Sequence, residues 1–86
     1  MNIVAKAEIA RGKITYILFS TERDNITHYG IQVCSTLFGS ETETLYEISS
    51  DIIFSKRLML ILADNIVLPS TFKEVVEEFL AVSATV

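Results

Sequence analysis

The chain has 86 residues, half of them apolar, and a formal charge of −4; that length predicts one domain, with a core too small to hide all its apolar side chains. Eleven acids outweigh seven bases, which stand singly apart from Lys56-Arg57, and this excludes affinity drawn from clustered cations, on nucleic acid or on an anionic membrane. The one cysteine, Cys34, excludes an internal disulfide, and no Cys/His cluster has zinc-site spacing.

Residues 3–10 form the first predicted strand, with Ile3, Ala5, Ala7 and Ile9 alternating against Val4, Lys6 and Glu8. Arg11-Gly12 supplies a turn in which Gly12 is free to take positive φ. Residues 13–20 contain Ile14-Thr15-Tyr16-Ile17-Leu18-Phe19, a β-branched and aromatic run read as a strand covered on both faces. Glu22-Arg23-Asp24-Asn25 is a polar break suited to a turn.

Residues 27–36 alternate again, placing Tyr29, Ile31 and Val33 on one face and His28, Gln32 and Cys34 on the other. Gly30 within that strand marks a bulge, a close backbone approach or a slot for a neighbouring ring. Phe38-Gly39-Ser40 turns the chain into a fourth strand, 41–48, with Thr44, Tyr46 and Ile48 opposite Glu43, Leu45 and Glu47. Four strands joined by short links predict an antiparallel meander.

The period changes after Ser49. Ser49, Ser50, Asp51 and Ser55 are all suited to cap a helix, since their side-chain oxygens accept from free N–H groups in the first turn. A short helix is expected over 55–64, closing near Asn65. Leu58 to Ala63 also fits a buried strand, but Leu, Met and Ala favour helix and only Ile61 is β-branched. Leu68-Pro69 breaks the chain, and Thr71 with Glu74 has capping-box spacing. A second helix over 70–81 follows from Phe72, Val75, Val76, Phe79 and Leu80, one apolar stripe at i, i+3, i+4, i+7 and i+8. The tail Val82 to Val86 shows no further pattern.

The fold expected is therefore α+β: a four-stranded antiparallel meander sheet with two C-terminal helices packed on one face. Tyr29, Ile31, Val33, Tyr46, Ile48, Phe72, Val75, Val76, Phe79 and Leu80 are its expected core.

Tyr29-Gly30-Ile31 in a strand, Glu47-Ile48-Ser49 at the end of a later one, and Val67-Leu68-Pro69 leading into Phe72–Leu80 carry a resemblance. Over residues 14 to 80 or so the chain resembles a family of short uncharacterised bacterial proteins, found mostly among spore-forming anaerobes, with a Tyr-Gly-Ile strand and a Pro-initiated acidic C-terminal helix. It departs from them where Leu58 to Ala63 replaces a more polar helix. The resemblance implies a fold and no mechanism.

No residue set points to catalysis, to a cofactor or to a metal. His28 and Cys34 share a strand face but stand six residues apart, about 20 Å along a strand, far beyond hydrogen-bond reach. Glu41, Glu43 and Glu47 read as one solvated strand face and Glu74, Glu77 and Glu78 as a solvated helix face. The three glycines are isolated, so no phosphate loop is present.

The expected function is a non-catalytic protein-interaction or regulatory module that self-associates as a homodimer. Its candidate interface is Leu58, Met59, Leu60 and Ala63, because a helix apolar all round needs cover all round. The alternative is a small-ligand domain with a pocket lined by Tyr16, Tyr29 and Tyr46 between sheet and helices. No charged leader precedes a long apolar stretch, and the longest apolar run is far shorter than the roughly 20 residues that span a bilayer. The cytoplasm is the expected compartment, with no membrane and no nucleic-acid partner.

Overall fold

The computed structural model describes residues 2–84. Strands β1 (Asn2–Ile9), β2 (Ile14–Arg23), β3 (Ile26–Ser35) and β4 (Glu41–Ser49) pair antiparallel in sequence order, and helices α1 (Ile52–Asp64) and α2 (Pro69–Ala84) follow. The α+β meander expected from the alternation is the fold observed. Of the apolar tail, residues 85–86 lie outside the described residues.

Turn chemistry sets the strand ends. Between β1 and β2, Ala10, Arg11 and Gly12 all take positive φ, and the Lys13 N–H closes the turn on the Ala10 carbonyl at 3.2 Å. Asp24 and Asn25, at φ 55° and 64°, make a two-residue turn of the type whose twist matches the flanking strands. Because that turn uses two residues, β2 runs on to Arg23 and β3 begins at Ile26, beyond the expected bounds of 13–20 and 27–36.

The register gives each face of the sheet its own set of residues. Ile14, Tyr16 and Leu18 lie across from Ser35, Val33 and Ile31, and all six are buried beneath the helices. Ala5, Ala7 and Ile9 extend this face along β1, and Leu45 and Ile48 along β4. The opposite face has no helix over it, so the expectation that β2 is covered on both sides is not met by the two-layer arrangement.

The register of β4 overturns one expected core residue. Ile31 pairs with Leu45 but Tyr29 pairs with Ser49, so β4 spends two extra residues there, and Glu47 turns left-handed at φ 53°. Leu45 faces inward opposite Ile31, so its neighbour Tyr46 faces outward, 65% exposed, and the bulge that follows returns Ile48 to the inner face. Tyr46 is thus not in the core, and it parts from Ile48, two residues on, because strict alternation does not survive a bulge.

Helix α1 starts earlier than expected. Asp51 is its cap, its carboxylate accepting from the N–H groups of Ile53 at 2.9 Å and Phe54 at 3.1 Å. Ser55, the first residue of the expected helix, lies inside it with its hydroxyl on the Asp51 carbonyl at 2.8 Å. Ser55, Leu58, Met59, Leu62 and Ala63 form one buried stripe. The rival strand over Leu58 to Ala63 does not occur.

The helix closes through Ile66 at φ 52°. The Ile66 N–H reaches the Ala63 carbonyl and the Val67 N–H the Leu62 carbonyl, at 3.2 and 3.0 Å, a Schellman closure that docks Val67 in the core. Asn65, expected near this point, keeps negative φ, and the left-handed position falls on Ile66.

Helix α2 starts at Pro69, the proline occupying a first-turn position where its missing N–H is no loss. Thr71 consequently lies inside the first turn and not at the cap. Its hydroxyl turns back to the Leu68 carbonyl at 3.5 Å, so the capping box expected with Glu74 does not form the cap. Phe72 and Val76 are buried; Val75, Phe79 and Leu80 are half-buried against the same core. Phe79 meets Phe54 of α1 with ring centroids 5.5 Å apart, joining the two helices. Each large side chain buried in this layer contributes about 1.5–3 kcal/mol.

Candidate functional site

The open face of the sheet is where apolar side chains gather without cover. Register alone brings Ile3 of β1, Phe19 of β2 and Gly30 of β3 into one row across the strands. On β4 the row is completed by Tyr46, whose ring meets Phe19 edge to face, centroids 5.5 Å apart. Phe19 is 1% exposed, although it points away from the helices, while Ile3 and Tyr46 beside it are 66% and 65% exposed.

Gly30 makes this possible. A Cβ there would stand 2.5 Å from Phe19 Cζ and 2.5 Å from the Leu45 carbonyl oxygen. The glycine is at once the slot for a ring and the close approach of a bulged neighbour strand. Two of the three meanings expected of a glycine in that strand apply together.

Around this row the open face is polar but short of free charge. Gln32 Nε2 donates to Thr44 Oγ1 at 3.0 Å, Cys34 Sγ approaches Gln32 Oε1 at 3.8 Å, and Thr42 Oγ1 approaches Cys34 Sγ at 3.7 Å. Lys6 pairs with Glu8 at 2.9 Å, and at the rim Arg23 pairs with Glu47 at 2.8 Å. Glu47, expected to share a solvated face with Glu41 and Glu43, is instead turned by the bulge onto Arg23.

The residues singled out from sequence are distributed as follows. Leu58, Met59 and Ala63 of the candidate interface are 0%, 4% and 8% exposed, occupied in the protein's own core, and Leu60 alone of the four reaches solvent, at 53%. The signal that separates them was present: 55, 58, 59, 62 and 63 are helically spaced, but a serine at the first position disguises the stripe. The three tyrosines are not brought together. Tyr16 is fully buried with its hydroxyl donating to the Val67 carbonyl at 2.7 Å, Tyr29 is half-buried on the inner face, and Tyr46 is on the outer one.

Burial pushes the Tyr16 hydroxyl above its usual pKa of 10.0. Among the described residues, open surface depressions of about 290 to 410 Å³ lie beside Ser20, beside Pro69 and beside Phe79, and no tyrosine lines these. His28 and Cys34 both lie half-buried on the open face, six residues apart on β3. Among the described residues no three of His, Cys, Asp and Glu gather as a metal would require, and no helix is long and apolar enough to cross a membrane.

Sequence reasoning missed Ile3 and Phe19. Alternation groups Ile3 with Ala5, Ala7 and Ile9, but a register shift between Ile3 and Ala5 sets Ile3 across from Phe19 on the open face, while the other three face the helices.

Neither a curated protein nor a solved structure matches the chain. A family model does, along residues 2–82, which include all four strands and most of α2. The chain belongs to DUF6514, a family of unknown function.

Proposed function

We propose that the protein is a non-catalytic interaction module that acts by self-association, as a homodimer. The observation that carries this reading is the uncovered sheet face, on which Ile3, Ile26 and Tyr46 are 66%, 51% and 65% exposed. A two-layer protein with an antiparallel sheet tolerates water on one face when that face is polar. Here it holds an apolar row from one edge strand to the other, and such a patch marks an interaction surface. The separation of His28 from Cys34 supports a role without nucleophilic chemistry. The single half-buried cysteine supports a reducing cytoplasm, and the resemblance to proteins of spore-forming anaerobes supports a bacterial cell.

Sedimentation equilibrium on the intact chain tests the reading. The expected result is a mass approaching twice the 9.6 kDa of the monomer as concentration rises through the micromolar range. A constant monomer mass up to about millimolar, where binding is worth only about 4 kcal/mol, refutes it.

A further inference from the structure

Resting on that reading, we infer that the second copy lies on the open sheet face, the two sheets stacked to form a sandwich. Three features select this face. Its area suffices: four strands about 4.8 Å apart and about eight residues long at 3.3 Å each give a footprint of about 500 Å². The corrugated accessible surface over that footprint approaches the roughly 800 Å² per partner of a standard interface.

Its charges are already compensated. Lys6 with Glu8 and Arg23 with Glu47 form ion pairs within one copy, so stacking desolvates no unpaired charge at the centre. Depletion of free charge around aromatic and aliphatic groups is the composition of an interface core.

The face is also self-complementary. A two-fold axis along the strands sets β1 of one copy across β4 of the other. The row Ile3–Phe19–Gly30–Tyr46 then meets itself reversed, Ile3 facing Tyr46 of the second copy. This is an isologous contact, closed at two copies.

The competing surface is the solvent stripe of α1, where Ile53 and Leu60 are 60% and 53% exposed. Lys56 and Arg57 interrupt that stripe, and the outer side of α2 carries Glu74, Glu77 and Glu78. Among the described residues none of these five makes an ion pair, so a contact there has to desolvate them.

The test compares the intact protein with Ile3→Lys, with Tyr46→Lys and with the double variant I53K/L60K, each checked for folding by far-UV circular dichroism. Lysine lowers the overall charge of −4, so general repulsion falls and any loss of association is local. The expected result is a dimer dissociation constant raised at least about tenfold by either sheet-face change, and left within about twofold by the α1 double variant. Tyr46→Lys also uncovers Phe19; Ile3→Lys, at an exposed edge position, keeps the test decisive should Tyr46→Lys unfold. Self-association that survives Ile3→Lys, or that is lost in I53K/L60K, overturns the assignment of this face and leaves the proposed function standing. A wild-type chain that is monomeric throughout overturns both.

Discussion

Replacing Gly30 with alanine should cost far more than a single methyl group suggests. The new Cβ would stand 2.5 Å from Phe19 Cζ, 2.8 Å from Phe19 Cε2 and 2.5 Å from the Leu45 carbonyl oxygen. The ring can swing away, but then Phe19 gives up a burial worth about 1.5–3 kcal/mol and an edge contact with Tyr46 worth about 0.5–1.5 kcal/mol. The carbonyl cannot swing, and moving the β4 bulge adds strain of about 1–3 kcal/mol. Alanine restricts the unfolded chain and returns about 0.4–1 kcal/mol. With partial relaxation the net loss is about 2–4 kcal/mol.

A chain of this length has about 4–13 kcal/mol in all, so the variant should melt about 10–25 °C lower. Urea denaturation followed by circular dichroism measures the loss directly. A second arm repeats the substitution in a Phe19→Ala background. There the ring clash is gone, and Gly30→Ala should cost at least about 1 kcal/mol less than in the wild type, the remainder being the carbonyl clash. A loss below about 0.5 kcal/mol in the wild type, or an equal loss in both backgrounds, would refute the slot.

Ile66 holds a β-branched side chain at φ 52° and is 60% exposed, so Ile66→Gly should stabilise the protein by about 1 kcal/mol through relief of left-handed strain; a lower urea midpoint in the variant contradicts this. Tyr16 binds its proton more tightly folded than unfolded, so the stability it adds is complete below about pH 10 and is lost as pH rises through the folded value. The alkaline decline in urea midpoint should therefore be shallower in Tyr16→Phe. The same variant should lose about 1–2 kcal/mol at neutral pH, because the buried Val67 carbonyl is left without the hydroxyl that serves it. An alkaline decline as steep as that of the wild type would show that Tyr16 is not the group responsible.

The extent to which the fold was legible differs element by element. In β2 and β3, alternation, Gly30 and the Asp-Asn turn all act between near neighbours, and these strands were read correctly apart from their ends. The stripe of α2 was equally plain, because five apolar residues at helical spacing leave one orientation. Helix α1 was harder. Its buried stripe includes Ser55, and a serine reads as a cap or as surface unless its bond to the Asp51 carbonyl is known. Met59 was consequently assigned to the candidate interface although it is 4% exposed in the protein's own core. Tyr46 was assigned to the core because alternation groups it with Ile48, and the bulge that separates the two leaves no mark in the sequence of β4.

Local patterning was enough to establish four strands, two helices, their order and the face that α2 buries, since these depend on periods of two and 3.6 residues along a single segment. The pairing of distant strands decided the rest. Whether Tyr46 faces the helices or the open side depends on the pairing of Leu45 with Ile31, and whether Ile48 joins the core depends on two extra residues opposite Gly30. Whether Ile3, Phe19 and Tyr46 form one surface depends on the register of three strand pairs. A row that crosses a sheet is a relation among segments, and it comes into being only when the hydrogen-bond ladders between them are set.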